Sequence, residues 1–272
     1  MAKPEPNAVV MQKTEHAPGL MTIRVVPDGW ELPDFTPGQY TVLGLPASAP
    51  RCPMADPDTT ELPPDKYIRR AYSITSASIA KQYLEFYISL VRSGELTPRL
   101  FNLNIGDRLW ISGKSTGFFT LDEVSPEKNV ILAATGTGLA PYMSMIRSEL
   151  TRNFRQGRFA VIHGAYHSWD LGYHSELVTL ERMSPNFTYI PIISSPEEEP
   201  MPWTGETGFV QKLWLERKIE EAWGLKPTPE NTNVFLCGHP LMIEAMEEII
   251  KKEGYTEHTR KTPGTYHLER YF

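Results

Sequence analysis

At 272 residues, the chain is long enough that a single hydrophobic core gives way to two. Its formal net charge of −6 argues against a nucleic-acid partner, which needs a basic surface. No apolar run approaches the ~20 residues that span a bilayer, and the first dozen residues lack the apolar core of a secretion signal, so a cytoplasmic monomer that binds neither membrane nor nucleic acid is expected.

The first half reads as β structure. Asn7–Gln12, Leu20–Val26, Tyr40–Leu45, Ala71–Thr75, Tyr83–Leu90 and Arg108–Ser112 are short, rich in β-branched and aromatic residues, and bounded by turn formers. Such spacing predicts an antiparallel barrel or sandwich. Between the last two, a short helix is predicted at Thr97, capped by the threonine hydroxyl, with Pro98 at its first position. Pro46–Asp65 is rich in Pro, Asp and Ala without periodicity. It reads as a mobile surface loop, with a role as a lid left open.

The rhythm changes near Asp122. Asn129–Ala134 is a continuous apolar run, as expected of a strand buried on both faces. There follow a helix (Ala140–Asn153), a strand (Phe159–Gly164), a helix (Ser175–Arg182), a strand (Phe187–Ile193), a helix (Val210–Ala222), a strand (Asn233–Cys237) and a helix (Pro240–Lys252). This alternation predicts a parallel sheet with helices on both faces. The expected organisation is a β-barrel over residues 1–123 and a Rossmann-like α/β domain over 124–272.

The chain has two cysteines, Cys52 and Cys237, far apart in sequence; His163 and His167 are joined by no further ligand. No iron–sulfur cluster or zinc site is expected, which leaves redox chemistry to an organic cofactor. Arg70-Ala71-Tyr72-Ser73 supplies a guanidinium fork for phosphate, an aromatic face and a hydroxyl. Gly94–Leu100 places a glycine and a threonine at a helix start, where backbone amides favour an anion. Thr135-Gly136-Thr137-Gly138-Leu139-Ala140-Pro141 is a glycine-rich turn directly after the apolar strand, suited to a dinucleotide pyrophosphate. Cys237-Gly238-His239-Pro240-Leu241-Met242 and the ending Glu269-Arg270-Tyr271-Phe272 complete the series.

These five segments, in this order, resemble the ferredoxin–NADP reductase family: its R-x-Y-S, G-x-x-S/T-x-x-L, G-T-G-x-A-P, C-G-x-P-x-M and E-x-Y motifs. The single aromatic beyond the tyrosine is similar to the bacterial branch. The resemblance implies FAD held by Arg70, Ala71, Tyr72, Ser73, Tyr87, Ile88, Ser89, Gly94, Leu96, Thr97 and Thr137, with Tyr271 or Phe272 stacked on it. It implies a nicotinamide nucleotide at Thr135, Gly136, Thr137, Gly138, Pro141, Tyr166, Cys237, Gly238, Pro240 and Met242. Ser73, Cys237, Glu269 and Tyr271 are implied around the reacting atoms. Hydride would pass between nicotinamide C4 and flavin N5, and single electrons to or from a ferredoxin or flavodoxin.

The sequence departs from the family at the expected site of the second phosphate of NADPH. His163–Tyr166, Ser194–Pro196 and Thr207–Val210 contain no arginine, and Glu197-Glu198-Glu199 lies close by. That pattern leans toward NADH or weak discrimination, with Lys212 and Arg217 left open as cations that the fold could bring into reach. Arg92, Arg99, Arg108 and Lys114 form a candidate docking patch for an acidic carrier. Three other readings stay open: the reductase component of an oxygenase system, an FAD-binding electron-transfer subunit of a larger complex, and a fold relative that binds no flavin.

Overall fold

A computed structural model describes residues 5–58, 62–152 and 155–270. It divides into two compact units: Met1–Thr120 with Ala140–Ser148, and Leu121–Leu139 with Glu149–Phe272. No helix among the described residues is long and apolar enough to cross a membrane.

The first unit is built on β1 (Ala8–Ala17), β2 (Leu20–Pro27), β3 (Tyr40–Pro46), β4 (Tyr67–Ser73), β5 (Leu84–Ser89) and β6 (Arg108–Ile111), with α1 (Thr97–Asn102) before β6. The strands form one antiparallel sheet in the order β4-β3-β6-β1-β2-β5. An isolated bridge between Ile74, just after β4, and Phe86 on β5 brings the two edge strands together at one point. Inward-facing Val10, Ile23, Leu43, Phe86, Leu109 and Ile111 fill the interior. The antiparallel barrel expected over this half is present.

Part of the first unit comes from α2 (Ala140–Arg152), whose Ala140–Ser148 stretch packs with the barrel strands. The Ser144 hydroxyl donates to the Ser76 carbonyl at 2.8 Å, and Ser148 Oγ accepts from the Ser78 amide at 3.0 Å. Arg147 donates to the Thr75 carbonyl at 2.8 Å and to the buried Glu85 carboxylate at 2.6 Å. The other oxygen of Glu85 accepts from Arg24 at 2.6 Å, and Thr75 Oγ1 donates to Glu85 Oε1 at 3.1 Å.

The second unit carries β7 (Asn129–Thr135), β8 (Phe159–Ala165), β9 (Phe187–Ile193), β10 (Glu206–Thr207), β11 (Thr232–Gly238) and β12 (Tyr266–Arg270). All pairs are parallel, in the order β10-β9-β8-β7-β11-β12. The helices are α3 (His174–Met183), α4 (Val210–Leu215), α5 (Lys218–Trp223) and α6 (Pro240–Lys252). β11 is buried along its whole length, and β7 except at Thr135, as their unbroken apolar runs predict.

Several features differ from expectation, among them the two-residue strand β10, absent from the sequence reading. The helix predicted over Val210–Ala222 is two short helices, because Arg217 takes the left-handed conformation (φ 61°) between them. The last strand, β12, is absent from the sequence reading. Its Tyr-His-Leu-Glu-Arg pattern is too polar to announce a strand, and pairing with β11 creates it. Glu247 on α6 then secures it, accepting from the Tyr266 hydroxyl at 3.0 Å and from Arg270 at 2.7 Å.

Two buried histidines in this unit are expected to make its stability pH-dependent. His163 on β8 is fully buried, with Nδ1 3.3 Å from the Tyr189 hydroxyl. Burial, together with the nearby His174, lowers its pKa to about 3. His267 on β12 stacks between Phe235 and His258, with ring centroids 4.2 and 4.4 Å away. Burial and then His258 lower it likewise to about 3. Each ring stays neutral when folded but protonates near its ordinary 6.5 when unfolded. Their contribution is therefore present above pH 6.5 and is lost as pH falls toward 3, at up to ~1.4 kcal/mol per pH unit per ring. Urea unfolding between pH 7.5 and 5 is expected to show this fall, with a shallower slope in His163→Gln; identical slopes in the two proteins would refute it.

Candidate functional site

β4 is an edge strand in the sheet order, and Arg69, Arg70 and Ala71 are exposed along it before Tyr72 and Ser73 turn inward. Arg70 reaches across to the segment before α1. Its Nη2 donates to Glu95 Oε2 at 2.5 Å, while Nη1 donates to the Arg69 carbonyl at 2.9 Å. The structure thus brings Arg70 together with Gly94–Thr97, two segments whose association the sequence does not reveal. Tyr72 is half-buried, and burial pushes its hydroxyl well above the ordinary tyrosine range, partly offset by the Arg70 charge. Ser73, Tyr87 and Ile88 are buried, whereas Ser89 and Ala71 are exposed.

Thr97 does not cap α1. It is the first helical residue, and Leu96 stands at the cap position without a side-chain bond. The Thr97 hydroxyl instead accepts from the Val91 amide at 3.0 Å and donates to the Val91 carbonyl at 3.1 Å, closing the Val91–Thr97 turn. Leu96 is buried beneath that turn. The exposed Arg70 guanidinium beside a closed glycine turn is a donor set that fits a phosphate taken in place of the Glu95 carboxylate it now holds.

In the second unit, the turn after β7 and the end of β11 lie side by side where the strand order reverses. That is the usual place for a ligand in an open parallel sheet. Gly136 has φ +53°, and a side chain there would meet nothing within 4 Å. Gly138 is required for a different reason: an added Cβ would lie 2.2 Å from the Cys237 carbonyl oxygen. Gly238, at φ +136°, would bring a Cβ within 2.3 Å of Thr135 Oγ1. The turn is therefore pressed directly onto the end of β11, and Thr135 Oγ1 accepts from the His239 amide at 2.8 Å. The open space at Gly136 fits a pyrophosphate drawn close to the backbone.

Register supplies one pairing that sequence distance hides. Cys237 lies opposite Ala134 on one side and Glu269 on the other. Cys237 is fully buried, as is most of β11. Pro240 opens α6 as expected, but the cap is His239, whose ring accepts from the Leu241 amide at 3.2 Å. Met242 and Pro141 are buried, and Thr137 is half-buried. Tyr271 and Phe272 lie outside the described residues.

Tyr166, at the end of β8, is 66% exposed. Its carbonyl accepts from the Ser195 amide at 2.9 Å, which draws the loop after β9 alongside. There His167 Nε2 lies 3.0 Å from Glu198 Oε2 and Nδ1 3.0 Å from Asp170 Oδ2, and these carboxylates hold the ring pKa above its ordinary value. Glu199 accepts from the Ser168 amide and hydroxyl at 2.6 and 2.7 Å. None of Tyr166, Ser168, Ser194 or Ser195 carries a guanidinium, His167 is held by two carboxylates, and Lys212, on α4, donates to the Thr207 carbonyl at 2.8 Å.

Residues 58–120 match the oxidoreductase FAD-binding domain and residues 132–248 the oxidoreductase NAD-binding domain. A barrel of the first kind and a parallel sheet of the second define a flavoprotein oxidoreductase that uses FAD and a nicotinamide nucleotide. The chain is 32% identical over 240 residues to a flavodoxin/ferredoxin–NADP reductase of Buchnera aphidicola, covering 88% of each protein. It is 29% identical over 248 residues to a ferredoxin–NADP reductase of Pseudomonas aeruginosa, covering 88% of this chain and 87% of that one. It belongs to the flavodoxin/ferredoxin–NADP reductase family. A ferredoxin–NADP⁺ reductase from Neisseria gonorrhoeae, solved with FAD and NADP, shares its fold with a TM-score of 0.80 over both whole chains at 24% identity.

Proposed function

We propose that the chain exchanges electrons between a nicotinamide nucleotide and a ferredoxin or flavodoxin, with residues 1–123 holding FAD and 124–272 the nucleotide and the returning C-terminal tail. When bound, FAD supplies hydride exchange at N5 and single-electron exchange with the carrier. Arg70 and the Gly94–Thr97 turn hold the flavin phosphates, Tyr72 presents its ring to the flavin, and Ser73 places a hydroxyl near the reacting edge. The Thr135–Gly138 turn takes the nucleotide pyrophosphate, and Cys237 and Glu269, adjacent in register, shape the nicotinamide end. The observation that carries this reading is the Arg70–Glu95 contact, which places the fork of β4 on the glycine turn before α1.

NADH is the better nucleotide in this reading, because the corner around Tyr166 offers carboxylates where a second phosphate would need guanidinium groups. The carrier-docking patch narrows to Arg92, Arg108 and Lys114. Arg99 is 4% exposed and spent on internal bonds, so it is removed from that surface.

The test is an anaerobic titration of purified protein with NADH and NADPH, followed at flavin wavelengths. Bleaching by NADH at lower concentration than NADPH is expected, with ferricyanide reduced in turnover. A colourless protein that takes up no FAD refutes the reading. Ser73→Ala is expected to retain FAD and slow the bleaching by about 10²-fold, in the range of a lost positioned proton or hydrogen-bond partner; wild-type rates in stopped flow would remove Ser73 from the site.

A further inference from the structure

In the Pro46–Asp65 stretch, outside the five motifs and expected as a surface loop, the described residues 46–58 and 62–65 are partly packed onto the barrel core. Cys52 is buried in the barrel core, and Ala47, Ala49, Ala55 and Leu62 pack against that core. The Cys52 amide donates to the Pro98 carbonyl at 2.9 Å, and the Asp56 amide to the Arg92 carbonyl at 3.1 Å.

At its centre is Arg51, whose side chain is 13% exposed. Nη1 donates to Asp58 Oδ1 at 2.5 Å and to the Gly94 carbonyl at 2.9 Å. Nη2 donates to the Asp56 carbonyl at 2.8 Å and to the Arg92 carbonyl at 2.9 Å. Arg99 acts from the other side, donating to the Glu95 carbonyl at 2.6 Å, the Ala47 carbonyl at 2.8 Å and Asp58 Oδ2 at 2.7 Å. Asp58 therefore clamps both guanidinium groups, and its carboxyl is held below the usual range chiefly by the Arg99 hydrogen bond.

Carbonyls of Arg92, Gly94 and Glu95 all face the two arginines. In a planar trans peptide the N–H of the next residue points the opposite way. The amides of Ser93, Glu95 and Leu96 are thereby each turned away from the guanidinium that holds the preceding carbonyl, as donors of the kind that receives an anion. The Glu95 side chain, on the same segment, meets Arg70. We infer that the Pro46–Asp58 stretch is a buttress that sets the Gly94–Thr97 turn for the flavin phosphates, with Arg51 and Asp58 as positioning residues. This rests on the reading that FAD occupies the barrel.

The test uses full-length apoprotein titrated with FAD, FMN and riboflavin, followed by flavin fluorescence. Arg51→Met is expected to weaken FAD and FMN at least tenfold while leaving riboflavin, which has no phosphate, within twofold of wild type. Asp58→Asn should shift the same ratio in the same direction, and it serves where Arg51→Met does not fold. Arg51→Lys keeps the charge without the fork and should recover only part of the FAD affinity. Equal losses for all three flavins, or FAD binding within twofold of wild type in both Arg51→Met and Asp58→Asn, would overturn the buttress. Wild-type protein that binds no FAD would instead overturn the cofactor assignment itself.

Discussion

Glu85→Ala is expected to destabilise the first unit by about 3 kcal/mol, the cost of removing the carboxylate from a mostly buried arginine, Arg147. Glu85 is 3% exposed and its two oxygens hold Arg24 and Arg147 at 2.6 Å each. Arg147 is itself mostly buried and would lose its carboxylate partner while keeping the bond to the Thr75 carbonyl. At roughly 2–4 °C per kcal/mol for a unit of this size, the melting temperature should drop by about 10 °C. The same network anchors α2, whose first residues follow the glycine turn after β7, so loss of Glu85 should also loosen Ala140–Ser148 to hydrogen exchange. Glu85→Leu combined with Arg147→Leu should recover much of the loss, because an apolar pair leaves no buried charge behind. A melting temperature within 2–3 °C of wild type for Glu85→Ala would show that the network contributes little.

The second large effect concerns nucleotide choice. Tyr166→Arg with Ser195→Arg is expected to raise the NADPH-to-NADH ratio of kcat/KM by about 10²-fold. One charge-assisted bond to a phosphate contributes roughly 1.5–3 kcal/mol, and 1.4 kcal/mol is tenfold. The two positions are neighbours, since the Ser195 amide donates to the Tyr166 carbonyl. Glu198 and Glu199 are held close by through His167 and Ser168, so Glu199→Gln should add a smaller gain in the same direction. A wild-type protein already favouring NADPH more than tenfold, or a double variant with an unchanged ratio, would remove this corner from nucleotide selection.

Much of the architecture was legible locally. Short β-branched runs between turn formers mark the barrel strands, and an unbroken apolar run marks β7. Pro240 marks the start of α6. These signals survive because periodicity, turn chemistry and capping act within a few residues. The split of α4 from α5 was not legible, since a left-handed Arg217 carries no signature in a sequence without a glycine there. β12 was missed because half-solvated edge strands need little apolar content.

What the sequence by itself determined is the inventory: a guanidinium fork on β4, a glycine turn after β7, a cysteine ending β11, and their order along the chain. The tertiary structure alone decided which of them meet. Arg70 finds Glu95 across 25 residues, Arg51 finds Gly94 across 43, and Cys237 lies beside Glu269 through strand register. Gly138 is needed because β11 passes behind it, a reason no reading of the turn could contain. Such contacts follow from strand order and register, which depend on the packing of the whole core and leave no local trace.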